Sequence, residues 1–313
     1  MKISVVTTLY RSVPYIEAFY TRMKCELLTL TPDYEIIFVN DGSPDDSLNL
    51  ARELIARDPA VRVIDLSRNF GHHKAIMTGL QHVTGDLVFL IDVDLEEPPE
   101  LLGQFYQDLK THEVDVVFGV MDRRYGSLFR QISGILYYKI INWLSPTPLP
   151  ENMLIARLMS RRYVNALIQH KEHVFIIGGL WQITGFRQRS ITVEKRYKGE
   201  TTYSIRRRIA MTIDSVTAYS SKPLILISYL GLLLSIPSGI LIVIFIIQRL
   251  FFKVGIDGWS SLIVSVWFLG GLIISILGVI AIYLAVIFTE VKARPYTIIR
   301  EIYEADPPSV INE

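Results

Sequence analysis

Short apolar runs alternate with amphipathic segments along the first 120 residues of the chain. Five of these runs have the length and composition of buried strands, at residues 3–8, 35–39, 61–66, 87–91 and 114–119. The segments between them, near residues 14–30, 45–57, 72–83 and 99–111, are amphipathic and predict helices. Strands that alternate with helices at this spacing are typical of an α/β fold with a doubly wound, mostly parallel sheet.

Two longer apolar stretches follow in the second half of the chain. Residues 223–248 and 258–289 contain no Asp, Glu, Lys or Arg. A membrane-spanning helix needs about 20 predominantly apolar residues, so each stretch is long enough to cross a bilayer. The pattern therefore predicts two transmembrane helices joined by a short loop.

Basic residues flank both stretches on the side away from that loop. The flanks hold Arg206, Arg207, Arg208, Lys222, Lys292, Arg294 and Arg300, whereas the loop region holds Arg249 and Lys253. Because positive charge favours the cytoplasmic side, both long ends are expected in the cytoplasm and the loop outside. Residues 1–6 have the pattern of a strand and not of a signal peptide, which agrees with this orientation.

Residues 204–222 connect the two parts of the chain. Their apolar positions form one helical stripe: Ile205, Ile209, Ile213, Val216 and Tyr219. The stripe predicts an amphipathic helix in the membrane interface, with its basic residues near lipid phosphates. Contact with a neighbouring subunit is the alternative, and both can hold. The expected organisation is a domain over residues 1–203, this helix, two spans over 223–289 and a tail over 290–313.

Composition narrows the function classes. Half of the 313 residues are hydrophobic, and the mean hydropathy of +0.33 is high because of the two apolar stretches. A net charge of only +1 gives no support for nucleic-acid binding. The single cysteine, Cys25, excludes an intramolecular disulfide and suits a reducing compartment.

The acidic segment DVDLEEPPE, residues 92–100, carries the main candidate chemistry. It follows the apolar run 87–91, so Asp92 and Asp94 are expected at the carboxyl end of a buried strand, with Glu96 just beyond. Ligands of open α/β sheets bind at that end of the strands. Carboxylate oxygens at this spacing suit a hard divalent cation, which can neutralise a diphosphate. A solvated acidic turn is the alternative that the spacing alone leaves open.

Asp41 is a second candidate, because it ends the strand pattern at residues 35–39 and precedes Gly42 and Ser43. Its place predicts contact with a base or ribose, although a turn with a helix cap has the same pattern. His72 and His73 have no Cys or His partner at ligand spacing, which favours polar loop residues over metal ligands. No GxGxxG or Walker pattern occurs, so dinucleotide and P-loop functions have no support.

Four separated motifs carry a family resemblance: VNDGSPDDS, LSRNFGHHKAIMTGL, GDLVFLIDVDLEEPPE and EVKARPY. In this order they resemble the family 2 glycosyltransferases that load sugars onto polyprenyl phosphate. The resemblance implies a GT-A fold, a nucleotide-diphosphate sugar donor carrying UDP or dTDP, and Mg²⁺ or Mn²⁺. It further implies inversion at the sugar C1, a membrane-lipid environment and a homo-tetramer.

The resemblance assigns roles residue by residue. The expected donor-binding residues are Tyr10, Asp41, Arg68, Asp92, Arg196, Lys198 and Thr201. The expected metal ligands are Asp92, Asp94 and Glu96, with Asp94 also the central catalytic carboxylate. Glu96 stands where the family usually has glutamine, which adds a negative charge and predicts either tighter metal binding or a changed metal preference. Thr202 stands where lysine is usual, so one phosphate-facing charge is missing.

The acceptor segment departs further from the family. The family sequence GDFRLM corresponds here to residues 154–159, so Arg157 is kept but Ile155 replaces the aspartate. A lipid phosphate has a second pKa near 6 and is largely a dianion at pH 7, so it needs little help from a base. Cationic positioning by Arg157, Arg123 and Arg124 is expected to hold it. Glu151 is the nearest upstream carboxylate and the candidate substitute base.

Together these features predict an inverting polyprenyl-phosphate glycosyltransferase for cell-surface glycans, multi-pass in the bacterial inner membrane, with its catalytic domain in the cytoplasm. Two alternatives stay open. One is a transferase that extends a lipid-linked sugar or polysaccharide, although the QxxRW of processive synthases is absent. The other is a membrane protein without turnover that binds nucleotide sugars or serves as a scaffold.

Overall fold

The computed structural model describes residues 1–121, 139, 142–143, 150, 152–193, 216, 220–252 and 258–305. The strands are β1 (Ile3–Leu9), β2 (Tyr34–Asn40), β3 (Val61–Leu66), β4 (Leu87–Leu90), β5 (Val116–Met121), β6 (Met153–Ser160), β7 (Gln188–Val193) and β8 (Ile299–Tyr303). The helices are α1 (Ile16–Leu30), α2 (Ser47–Arg57), α3 (His72–Gln81), α4 (Leu101–His112), α5 (Arg161–Leu167), α6 (Ile177–Ile183), α7 (Lys222–Phe252) and α8 (Trp259–Val291). All five predicted strands and all four predicted helices of the first 120 residues are confirmed, with ends shifted by a few residues.

The strands form one eight-stranded sheet in the order β7-β5-β6-β4-β1-β2-β3-β8. The pairs β1–β2, β1–β4, β2–β3 and β5–β7 are parallel, which confirms a mostly parallel sheet. The order also departs from a simple doubly wound sheet, because β6 lies antiparallel between β4 and β5. The candidate acceptor segment is therefore a central strand of the sheet.

Two hydrophobic clusters cover the two faces of the sheet. One joins the inner faces of α1, α2 and α4 to side chains such as Phe38 and Phe89. The other joins α3, α5 and α6 to the opposite face, around residues such as Ile64 and Tyr163. Alternate residues of the central strands point to opposite faces, and both sets are apolar because helices cover both sides. The sheet is thus packed on both faces, and its strand ends can position polar side chains.

The eighth strand comes from the far end of the chain. After α8 the chain returns to the sheet, and β8 pairs antiparallel with the edge strand β3. This strand lies within residues 290–313, which the hydrophobic pattern assigned to a tail. The division of the chain into domains stays a prediction, but residues at the end of the chain contribute directly to the sheet.

The two apolar stretches form the long helices α7 and α8. Within the part of the chain that the structure describes, one segment meets the length and composition of a membrane span: Ser265–Val291, with a mean hydropathy of 2.8. Only 6% of its most apolar window is buried inside the protein, as expected of a lipid-facing helix. In α7 the described apolar stretch is the shorter Lys222–Gly231. One span is therefore supported, whereas the predicted second span, and with it the multi-pass topology, is not confirmed. The predicted interfacial helix falls largely outside the described residues.

The Glu290 carboxylate, near the end of α8, forms hydrogen bonds with residues 173 and 174 of the sheet domain. Glu290 accepts hydrogen bonds from the backbone N–H groups of His173 and Val174, at 2.8 and 3.0 Å, and contacts the His173 ring at 3.0 Å. The other ring nitrogen of His173 contacts the Arg294 carbonyl oxygen. Two acceptors facing one imidazole favour the doubly protonated ring. The hydrogen bond to Glu290, followed by the one to Arg294, raises the pKa of His173 above its ordinary value of 6.5.

This histidine is expected to make the stability of the junction between α8 and residues 173–174 depend on pH. Because the folded-state pKa is raised, its stabilising contribution is complete below pH 6.5 and is lost as the pH rises through the folded-state value. We expect amide hydrogen exchange at residues 170–176 to accelerate on going from pH 6 to pH 8.5, after correction for the intrinsic rate. His173→Gln removes the titrating group and is the control. Equal corrected pH dependence in both proteins would contradict the prediction.

Candidate active site

The carboxyl ends of β1, β2 and β4 lie side by side at one edge of the sheet. Leu9 at the end of β1 pairs with Asn40 at the end of β2, and Val6 pairs with Leu90 at the end of β4. Asp41 directly follows β2 and Asp92 lies two residues after β4, so the two acidic residues come from the strands on either side of β1. The parallel register therefore brings together the two acidic motifs that the sequence predicted to share an edge.

Asp41 holds a neighbouring loop. Its side chain is buried, and its two oxygens accept hydrogen bonds from the backbone N–H groups of Phe70 at 2.7 Å and Gly71 at 3.0 Å. Burial raises the pKa of Asp41, although the bonds from Phe70 and Gly71 oppose that shift. The residue predicted to bind the donor thus also organises the loop at residues 68–71, a contact that the sequence pattern did not indicate.

Gly42 explains how closely this loop approaches β2. Its φ is +58°, and a Cβ added there would lie 2.4 Å from the backbone carbon of Arg68 and 2.5 Å from the nitrogen of Asn69. Both the left-handed conformation and the close approach exclude a larger side chain. Asp41 and Gly42 therefore fix the loop together, one by hydrogen bonding and one by leaving space.

The other predicted donor-binding residues divide into two groups. Tyr10 is about half exposed at the end of β1, and Arg68 is exposed in the loop with its guanidinium 4.1 Å above the Phe70 ring. Both lie beside Asp41 and are accessible to a ligand. Arg196, Lys198 and Thr201 lie outside the described residues, so their predicted roles stay predictions.

The acidic segment forms a tight turn after β4. Asp92 and Asp94 are half-buried, and Asp94 accepts a hydrogen bond from the Glu96 backbone N–H at 2.9 Å across Leu95, whose φ is +61°. Among the described residues, no group of three His, Cys, Asp or Glu side chains is arranged as a complete metal site. Mg²⁺ commonly takes only one or two carboxylates and completes its shell with substrate phosphates, so this donor set still fits.

His72 also lies at this edge, although its sequence context favoured a polar loop residue. It begins α3 instead of lying in a loop, and its Nε2 is 3.3 Å from an Asp92 oxygen. Its Nδ1 is 3.0 Å from the Thr8 hydroxyl. Burial lowers the pKa of His72, against the opposing charges of Asp41 and Asp94. A neutral ring that donates from Nε2 and accepts at Nδ1 satisfies both contacts and restrains the Asp92 carboxylate.

Glu97 is a further residue that the sequence pattern missed. It is almost completely buried, and its carboxylate accepts hydrogen bonds from the backbone N–H groups of Ile155 at 3.3 Å and Ala156 at 2.7 Å. It thereby joins the acidic segment to β6. Nothing in the sequence distinguishes Glu97 from Glu96, because the distinction arises from a contact between distant segments.

Arg157 lies beneath this edge and not on it. The side chain is fully buried, its guanidinium is stacked on the Trp181 ring, and it donates to the carbonyl oxygens of Leu154 and Ile155. Burial lowers its pKa to about 9. In this conformation Arg157 does not reach solvent, so its predicted contact with an acceptor phosphate needs a rearrangement and stays a prediction. Arg123, Arg124 and Glu151 lie outside the described residues.

Comparison with known proteins gives this edge a context. The sequence model described as "Glycosyl transferase family 2" matches residues 4–176, more than half of the chain. A protein of Mycobacterium tuberculosis named "Putative glycosyltransferases" is 52% identical over 98% of this chain and 90% of its own length. The "Uncharacterized glycosyltransferase YkcC" of Bacillus subtilis is 34% identical over 96% of this chain and 94% of its own length. The "SfII prophage-derived bactoprenol glucosyl transferase" of Shigella flexneri is 31% identical over 98% of this chain and 100% of its own length.

Proposed function

Because this chain belongs to glycosyl transferase family 2, we propose that it moves a sugar from a nucleotide-diphosphate sugar to polyprenyl phosphate with inversion at C1. One observation carries the proposal: Asp41, its hydrogen-bonded loop and the carboxylates Asp92 and Asp94 share the carboxyl edge of the sheet. That edge is where ligands of open α/β sheets bind. The GT-A-like fold and the transferase class follow from the family, whereas the donor, the acceptor and the membrane face belong to the proposal.

The donor side of the reaction uses the residues at this edge. Asp41 and the loop that it holds receive the nucleoside, with Tyr10 and Arg68 beside it. Asp92 and Asp94, with Glu96 beyond them, are the residues that would hold Mg²⁺ or Mn²⁺ against the diphosphate. A divalent ion bound there supplies stabilisation of negative charge on the departing nucleoside diphosphate. Arg196, Lys198 and Thr201 complete the donor contacts in this proposal.

The acceptor assignment rests on charge and on one relative. A phosphate dianion attacks the sugar C1 without losing a proton, so the presence of Ile155 in place of an aspartate is compatible with transfer. Arg157, Arg123 and Arg124 are proposed to hold the acceptor phosphate, with Glu151 the candidate base if the acceptor is a hydroxyl. The Shigella flexneri relative named for bactoprenol supports a polyprenyl acceptor.

The membrane arrangement completes the proposal. The segment Ser265–Val291 is one span, and α7 is the proposed second span. The junction of Glu290 with His173 then lies at the cytoplasmic end of α8, next to the sheet domain. The proposed interfacial helix at residues 204–222 and a homo-tetramer would keep the catalytic edge near the lipid acceptor in a bacterial inner membrane.

The experiment is a transfer assay with the full-length protein in detergent or lipid. It combines Mg²⁺ or Mn²⁺, a panel of radiolabelled UDP- and dTDP-sugars, and undecaprenyl phosphate. Label that enters the lipid phase as an acid-labile monophosphosugar is the expected result. Label found only on preformed lipid-linked sugars would overturn the proposal in favour of chain extension. Donor binding without transfer to any acceptor would favour a regulator.

A further inference from the structure

Strand β8, which follows α8, lies next to the loop at residues 68–71, which we call the donor loop. In the β3–β8 pairing, Asp65 lies opposite Glu301 and Leu66 opposite Ile299, with an irregular register between them. The backbone N–H of Ser67 then donates to the Ile298 carbonyl at 2.9 Å. Ser67 directly precedes the loop at residues 68–71 that Asp41 holds. The entry of that loop is therefore defined by backbone contact with residues from the end of the chain.

Arg300 adds two side-chain contacts at the same place. One guanidinium nitrogen lies 3.1 Å from an Asp65 carboxylate oxygen, and the other donates to the Ser67 carbonyl at 2.8 Å. A planar guanidinium is suited to holding two acceptors in a fixed relation. Arg300 thus connects Asp65, near the end of β3, to Ser67, the residue that precedes the donor loop.

Asp65 connects Arg300 to Asn40, the residue that precedes Asp41. Its side chain is only 1% exposed, and its second oxygen accepts a hydrogen bond from the Asn40 amide at 2.7 Å. Asn40 immediately precedes Asp41, and its own side-chain oxygen accepts from the Ser43 N–H at 3.3 Å. A buried carboxylate depends on such partners, and the loss of one leaves its charge poorly compensated.

We propose that Arg300 is a positioning residue for donor binding, which acts through Asp65 and Ser67 on the two segments around Asp41. The inference rests on the proposed function, because it assumes that the nucleotide sugar binds at this edge. In it, the segment after α8 completes the donor site without touching the ligand. Arg300 is a determinant of donor affinity and only weakly of the chemical step.

The test compares Arg300→Gln with Arg300→Lys and the wild type, all as full-length protein. Losing the charged bonds to Asp65 and Ser67 is expected to raise the donor KM about tenfold, with kcat changed less than about threefold. Arg300→Lys keeps one charged contact and is expected to recover part of the loss. Amides of residues 68–71 are expected to exchange faster in Arg300→Gln.

A matched control separates positioning from general support of β8. Tyr303 lies on β8, as Arg300 does, but away from the donor loop. The guanidinium carbon of Arg52, in α2, stacks 4.1 Å from the centre of the Tyr303 ring. Arg52→Gln is expected to leave the donor KM within about twofold of the wild type, because it removes only a stacking contact. Equal rises of KM in the Arg52 and Arg300 variants, or an unchanged KM in Arg300→Gln, would overturn the proposal.

A double-mutant cycle and a binding measurement complete the design. Asp65→Asn combined with Arg300→Gln is expected to cost less than the two single effects multiplied, since both act on one network. Calorimetric titration with the nucleotide alone repeats the comparison without any acceptor. Weaker nucleotide binding in Arg300→Gln with no transfer by the wild type would leave this inference standing and overturn the proposed transfer to polyprenyl phosphate. If the wild type transfers sugar to polyprenyl phosphate but the wild type and Arg300→Gln bind the nucleotide equally well, the proposed function stands and this inference is overturned.

Discussion

Replacing Asp94 with alanine is expected to lower the rate of sugar transfer by about a thousandfold or more, since a bound divalent ion supplies several kcal/mol of charge stabilisation. Asp94 lies in the turn after β4, where its carboxylate accepts a hydrogen bond from the Glu96 N–H. Loss of the carboxylate removes one of the three proposed carboxylate ligands, Asp92, Asp94 and Glu96. The measurement is the initial transfer rate at saturating donor, repeated over a range of Mg²⁺ and Mn²⁺ concentrations.

Glu96→Gln is the matched variant for this experiment, because it restores the residue usual in the family and keeps an oxygen at the same place. Transfer is expected to continue, with a higher metal concentration needed for half-maximal rate, since one negative charge is lost.

A thermal unfolding midpoint close to that of the wild type would establish that the Asp94→Ala variant is folded. Full activity in Asp94→Ala would show that the metal is held elsewhere.

Asp41→Asn is expected to weaken nucleotide binding about 10- to 100-fold, because an amide accepts through one oxygen and cannot serve both loop N–H groups as the carboxylate does. The Asp41 carboxylate accepts hydrogen bonds from the backbone N–H groups of Phe70 and Gly71. An amide in its place would leave one of these N–H groups facing an NH₂ group. The donor loop would lose its fixed position. Calorimetric titration with UDP and dTDP, together with the thermal unfolding midpoint, measures the effect.

Asp33→Asn provides the comparison for Asp41. Asp33 is exposed and precedes the other end of the same strand, so its substitution makes the same chemical change far from the site. Nucleotide affinity is expected to match that of the wild type. A stable Asp41→Asn protein with wild-type affinity for both nucleotides would remove Asp41 from the proposed donor site.

Local patterns were sufficient to predict much of the sheet. The strands β1, β2, β3, β4 and β5 are apolar runs between amphipathic helices, and their ends agree with the pattern to within a few residues. Their parallel order then places Asp41 and Asp92 at one edge. Propensity and periodicity act over neighbouring residues, which is why these elements could be found without structural information.

The strands β6 and β8 could not be predicted in the same way. Both pair antiparallel with strands distant in sequence, and β8 joins an edge strand from more than 200 residues away. Nothing in a short window of sequence specifies such a partner. The burial of Arg157, which was predicted to hold the acceptor phosphate, has the same origin, because its place in a central strand of the sheet puts its side chain in the core.

The site shows a similar division between residues and contacts. The sequence identified Asp41, Asp92 and Asp94 by their position after strands, and the structure brings them to one edge. It did not indicate that Asp41 binds backbone N–H groups, that His72 contacts Asp92 or that Glu97 holds β6. These contacts depend on the distance between separate segments, which residue type alone does not determine.

The origin of β8 has a consequence for biosynthesis. A ribosome completes this strand only after it has made α8, so until then the side of β3 that faces away from β2 has no partner strand. Exposed edges of this kind favour association between chains. The contacts of Ile298 and Arg300 with Ser67 and Asp65, at the entry of the loop at residues 68–71, therefore form only after α8 has been made.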